Sequence, residues 1–189
     1  KSDEYADLCN DASLLMRLEY VGIDVGNRWA DLHQKVEGRA EEHMLTFADV
    51  HFASMFASVG DTTGVNRLIE SFAEKGGAVR IEVGVPLAQA VADYCSGAYK
   101  QAQKALIELR GRIIEIGGSH TQRDIFELLM IEASIKSGDT ATARHMLENR
   151  TKLNPSNGLN WKKLAEILPG VDEAAANKAR ARAAELLMA

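Results

Sequence analysis

Apolar residues recur along this chain at the three-to-four-residue spacing of amphipathic helices, and no stretch alternates with the two-residue period of a strand. The spacing predicts helices over 11–21, 27–37, 45–58, 62–75, 78–96, 98–116, 120–137, 140–153, 157–168 and 172–188. Four glycines, Gly22, Gly60, Gly97 and Gly138, fall between such runs at separations of 38, 37 and 41 residues. A glycine there takes the left-handed conformation that closes a helix without a Cβ clash. An Asp or Thr just beyond it then caps the next helix. Ala102 and Ala143 each follow their glycine by five residues, where a small side chain lets the two helices of a pair approach. Pro155 stops the last of these second helices. One such pair cannot cover its own apolar face, so neighbouring pairs must stack.

The predicted fold is therefore all-α: an α-solenoid of degenerate tetratricopeptide-like antiparallel helix pairs. It is expected as one domain over 1–189, with 172–188 as a C-terminal capping helix opened by Asp172. Gly117-Gly118-Ser119 is a clear break, and Ser119 with Gln122 forms a capping box for the helix that follows. Pro86 falls inside the 78–96 segment and predicts a kink, with the Glu82 carbonyl freed.

Composition supports helices over sheets, with only three prolines and 6% aromatic residues among 189. The formal net charge of -5 argues against a nucleic-acid or acidic-membrane footprint. No apolar run reaches the ~18 residues needed to span a bilayer, and the opening residues show no secretory pattern. Cys9 and Cys95 have no pairing motif and sit in apolar runs, as small hydrophobes of a reduced protein do. A cytoplasmic location is expected.

Several ordered stretches resemble the tetratricopeptide repeat protein 38 family. They are Asn10 to Glu19, Gly26-Asn27-Arg28-Trp29, His43 to Phe47 with Asp49 and His51-Phe52, Gly84-Val85-Pro86-Leu87, and Gly117 to Asp124. The similarity runs from about Cys9 to Pro155 and corresponds to the C-terminal half of that family's chains. It implies an α-solenoid that is part of a longer protein, and it carries no catalytic residues with it.

The most suggestive polar residues are His43, Asp49 and His51. Placed on one helix, the two histidines lie ~80° apart around the axis, off the i, i+3 or i, i+4 spacing at which two ligands meet one metal. No metal or other cofactor is expected, and both histidines are expected to serve backbone or carboxylate groups between helices. His120, Arg123 and Asp124 open a helix after two glycines, where free N–H groups could receive an anion. Capping by Ser119 and Gln122, with Arg123 paired to an acid on a neighbouring helix, is the preferred reading. Trp29 reads as a core wedge, Asn27 as a cap, and Arg17 and Glu19 as partners for Arg28 or Asp31. No Gly-x-Ser-x-Gly motif occurs, and neither cysteine has a basic neighbour to activate it.

Registration of the repeats places Val50, Ser54, Leu87, Val91, Tyr94, Leu128, Glu132 and Ile135 on the concave side. That lining is largely apolar and suits an apolar helix or another subunit better than a peptide carboxylate. The expectation is a scaffold that binds a protein or peptide through an apolar groove or end surface. The alternative is an enzyme or small-ligand binder that gathers the His/Asp/Arg residues into a pocket between repeats. The first helix carries Leu8, Leu14, Leu15, Met16, Leu18 and Val21, too many apolar positions for one stripe. It is expected to associate with another copy or with the N-terminal half of a longer parent.

Overall fold

The computed structural model describes residues 4–188, and all regular structure among them is helical. The α-helices are α1 (Tyr5–Tyr20), α2 (Arg28–Val36), α3 (Thr46–Ser58), α4 (Thr62–Lys75), α5 (Val85–Cys95), α6 (Tyr99–Leu109), α7 (His120–Lys136), α8 (Thr140–Leu153), α9 (Gly158–Ile167) and α10 (Glu173–Met188). A π-helical turn, Arg80–Gly84, precedes α5, and a 3-10 turn, Ile113–Ile116, follows α6. The chain forms two compact units, residues 1–133 and 134–189, with the division in the last turn of α7.

In the first unit α3 is the core helix. It is apolar on every side, and a helix of that kind must be surrounded. All residues from Phe47 to Phe56 are buried, and α1, α2, α4, α5 and the π turn pack around them. Phe52 and Phe56 from α3 join Phe72 of α4, Phe126 of α7 and Leu8 of α1 as the largest fully buried side chains. α1 begins six residues before the predicted start because Leu8 and Cys9 extend the buried stripe of Ala12, Leu15, Met16 and Tyr20.

The four spaced glycines close their helices in one way. Each has a φ between 75° and 87°. In each, the residue after the glycine reaches back five positions: Ile23 to Leu18, Asp61 to Phe56, Ala98 to Asp93 and Asp139 to Ser134, at 2.8–3.0 Å. Asp61 and Asp139 then cap α4 and α8, accepting from the N–H groups of Gly64 and Thr142.

Two predicted segments are interrupted. Pro86 occupies the first turn of α5, and the turn before it widens to π geometry, with the Val85 N–H bonded to the Arg80 carbonyl. The predicted helix over 98–116 stops at Leu109. A short turn through Gly111 re-aims the chain so that Ile113 and Ile116 are buried, and Arg112 ties it to Glu115 and Glu82. Asn27 makes no side-chain cap on α2.

The second unit packs α8 on α9 and α9 on α10. Ala176, Ala179 and Ala183 are the buried positions of α10, small enough for close helix contact. Asp172 caps α10 by accepting from the Ala175 N–H at 3.0 Å, and also receives Arg144 at 3.1 Å. Asn157 caps α9, accepting from Leu159 and Asn160.

Candidate functional site

The predicted polar cluster divides among separate local partnerships. His43 is not on α3, as the spacing argument assumed; it lies in the connection before it, with a φ of 47°. It is the one non-glycine with positive φ among the described residues. Holding a residue there costs ~1 kcal/mol or more, so the surrounding contacts must impose it. They are numerous. The ring stacks on Phe72 at 5.3 Å, its Nδ1 lies 3.2 Å from Asp49 Oδ1, its Nε2 lies 2.9 Å from Ser71 Oγ, and Arg80 donates to its carbonyl at 3.2 Å.

Ser71, His43 and Asp49 thus stand in the order of a hydrolase relay. The hydroxyl proton decides what that geometry can do. Ser71 Oγ donates to the Arg67 carbonyl, one helical turn back, at 2.6 Å, so His43 Nε2 must donate to Ser71 and is not a base for it. One further proton then holds His43 Nδ1 and Asp49 Oδ1 together. Burial raises the Asp49 carboxyl to about 6, against the opposing pull of His43 and Arg80. Its second oxygen, Oδ2, is buried with no hydrogen-bond partner, as is Nε of Arg80. This arrangement pins the 37–45 connection onto α3 and α4.

His51 belongs to another environment. Its Nδ1 donates to the Phe47 carbonyl at 2.8 Å, and its Nε2 lies 3.1 Å from Ser13 Oγ. Rings of Phe47 and Phe126 flank it, and burial lowers its pKa to about 4, so it is neutral at physiological pH. Asp49 therefore serves His43 and not His51. No group of three or more His, Cys, Asp and Glu side chains is placed to hold a metal ion among the described residues.

At the start of α7, Ser119 and Gln122 form the predicted reciprocal box, at 2.8 and 3.2 Å. Arg123 pairs with no acid among the described residues: it folds back to donate to the Gly117 and Gly118 carbonyls. Asp124 instead receives Arg17 from α1 at 3.0 Å, and Glu19 receives the indole N–H of the buried Trp29 at 2.8 Å. His120 is exposed.

The predicted groove lining is largely interior. Val50, Ser54, Leu87 and Val91 are buried where α3 and α5 pack directly on one another, and Glu132 of α7 is buried as well. Tyr94, Leu128 and Ile135 are half-buried. Tyr94 packs edge-on against Tyr20 and Tyr99.

An open apolar site lies elsewhere in the first unit, where the start of α3 meets the 3-10 turn. A cleft of about 220 Å³ is lined by Tyr5, Ala6, Cys9, Leu45, Phe47, Ala48, Ile116, Gly117 and Gly118, with Gln122 as its one polar amide. Gly118 is needed there, since a Cβ would stand 2.8 Å from the Phe47 ring. Leu45 on its wall is 57% exposed, and Met44 and Ile114, one and two positions along the chain from the lining residues Leu45 and Ile116, are each 65% exposed. Nothing in the sequence pointed to this site, because Leu45 and Ile114 fall inside the predicted helices 45–58 and 98–116, and only the structure places Leu45 before α3 and Ile114 in the 3-10 turn. Burial raises the Cys9 thiol to about 12, so it lines the cleft as an apolar group.

No protein-family model matches the chain, and no solved structure matches it. Among the described residues no helix is long and apolar enough to cross a membrane.

Proposed function

We propose that this protein is a binding scaffold that takes an apolar segment of a protein partner into the cleft between the start of α3 and the 3-10 turn. One observation carries the reading. Leu45 is 57% exposed and forms part of the wall of a largely apolar cleft, and the exposed Met44 and Ile114 lie one and two positions along the chain from its lining residues Leu45 and Ile116. Exposed apolar surface next to a formed cavity is what a docking site requires, whereas scattered exposed residues are ordinary. His43, His51 and Arg123 are each engaged by neighbouring side chains or backbone carbonyls. A scaffold of tetratricopeptide-like antiparallel helix pairs fits the shared glycine closures and the Asp61 and Asp139 caps. Membership of the tetratricopeptide repeat protein 38 family, proposed on the sequence resemblance, agrees with that reading.

The test is selection of binders from a random peptide library against the whole chain, followed by titration against variants. Selected peptides should be apolar and should lose at least about tenfold in affinity against Leu45→Asp. Polar binders, or apolar binders indifferent to Leu45→Asp, would show that the cleft is not the docking site.

A further inference from the structure

The first unit carries a second cleft, between α1 and α2, of about 360 Å³. Leu32 forms part of its wall and Leu14 stands at its edge, 53% exposed. Of the other long apolar side chains that crowd α1, Leu8, Leu15 and Met16 are buried in this chain's own core and Leu18 is half-buried. Leu14 is the large one that the fold leaves uncovered on that helix.

Charge indicates what covers it. Residues 1–133 hold thirteen Lys and Arg against twenty-one Asp and Glu, a net of -8, so an average face of this unit is acidic. The rim of this cleft is balanced instead, with Asp11 and Asp31 opposite in sign to Arg28 and Lys35. Arg28 is anchored at the rim by a 2.7 Å hydrogen bond to the Val25 carbonyl. A surface that meets itself across a two-fold axis can set its acids against its own bases when it carries both. An acidic or basic guest would favour a rim of one sign; equal numbers of both suit a second copy.

We propose that two copies of this chain associate through the α1–α2 face about a two-fold axis. Each inserts Leu14 into the other's cleft, and Asp11 and Asp31 of one meet Arg28 and Lys35 of the other. This interface is independent of the docking cleft at Leu45, and neither proposal rests on the other.

Sedimentation equilibrium of the whole chain tests it. At low salt the mass should rise with concentration to twice the 20.6 kDa of one chain and no further, and high salt should weaken the association. Leu14→Glu should weaken it at least about tenfold, with an unchanged circular dichroism spectrum. An acidic variant, Arg28→Glu with Lys35→Glu, and a basic variant, Asp11→Lys with Asp31→Lys, should each sediment as single chains. Mixed in equal amounts they should form a heterodimer, which also proves both are folded. Single-chain mass for the wild type up to the highest concentration reached would overturn the proposal. So would a dimer that survives Leu14→Glu, or failure of the two charge variants to pair.

Discussion

Two buried titratable side chains, His51 and Asp49, lie two positions apart on α3 and respond to acid in opposite senses. The folded-state pKa of His51, about 4, lies below its ordinary 6.5 because burial disfavours the imidazolium. Its contribution is complete above pH 6.5 and is lost as pH falls toward 4, by about 3 kcal/mol. Asp49 stands at about 6 against an ordinary 3.8, again because burial disfavours the charge. The cost of its carboxylate is relieved as pH falls from 6 toward 3.8, a gain of about 3 kcal/mol. Relative to wild type at each pH, His51→Gln should therefore become more stable on acidification from pH 6.5 to 4.5, and Asp49→Asn less stable. Urea unfolding of the three proteins at four pH values checks the pair of slopes. Parallel curves would mean that neither group changes its protonation on unfolding in this range. The sequence grouped both residues with His43, and the spacing of the two histidines argued against a metal there. Of the partners the structure gives them, His43 for Asp49 and Ser13 and the Phe47 carbonyl for His51, Ser13 comes from another helix and could not be read from local spacing.

Helix ends were the most legible feature at the scale of elements, because a cap is decided by residues within five positions of each other. Gly138, with a φ of 84°, has open space where a Cβ would sit, so Gly138→Val tests conformation without a steric clash. It should cost about 1–2 kcal/mol in thermal or urea unfolding. Asn157 accepts from two N–H groups at the start of α9, and Asn157→Ala should cost about 1 kcal/mol. Asn27→Ala, at the start of α2, should be near neutral by the same measurement, because that side chain makes no cap. The interrupted elements show where local reading stops. Spacing alone does not register that Arg112 can tie Glu82 and Glu115 together while Ile113 and Ile116 turn inward.

For the whole molecule, α3 concentrates the stabilising contacts of the first unit. Phe56→Ala should remove about 3–5 kcal/mol, the loss typical of an aromatic side chain that leaves a cavity in a packed core. Leu14→Ala, at the exposed edge of the α1–α2 cleft, should change the stability of the single chain by no more than about 0.5 kcal/mol. Denaturant midpoints measured at low protein concentration compare the two. Equal losses would mean that Leu14 is covered within its own chain, which would remove the basis of the two-fold interface.

The all-helical character of this protein, the closure of its helices at Gly22, Gly60, Gly97 and Gly138, and the caps at Asp61, Ser119, Asp139 and Asp172 are determined by the sequence itself. Each depends on apolar periodicity or on a hydrogen bond across a few residues. Which apolar face meets which depended on the tertiary structure. Val50, Leu87 and Val91 read as groove lining because their positions suit a concave surface, yet α3 and α5 close over them. Helical periodicity identifies an apolar stripe but not whether a neighbouring helix covers it. The same limit hid the cleft at Leu45. Cys9, the Leu45–Phe47 pair and Ile116 with Gly117-Gly118 come from three distant stretches of the chain, and only packing brings them together.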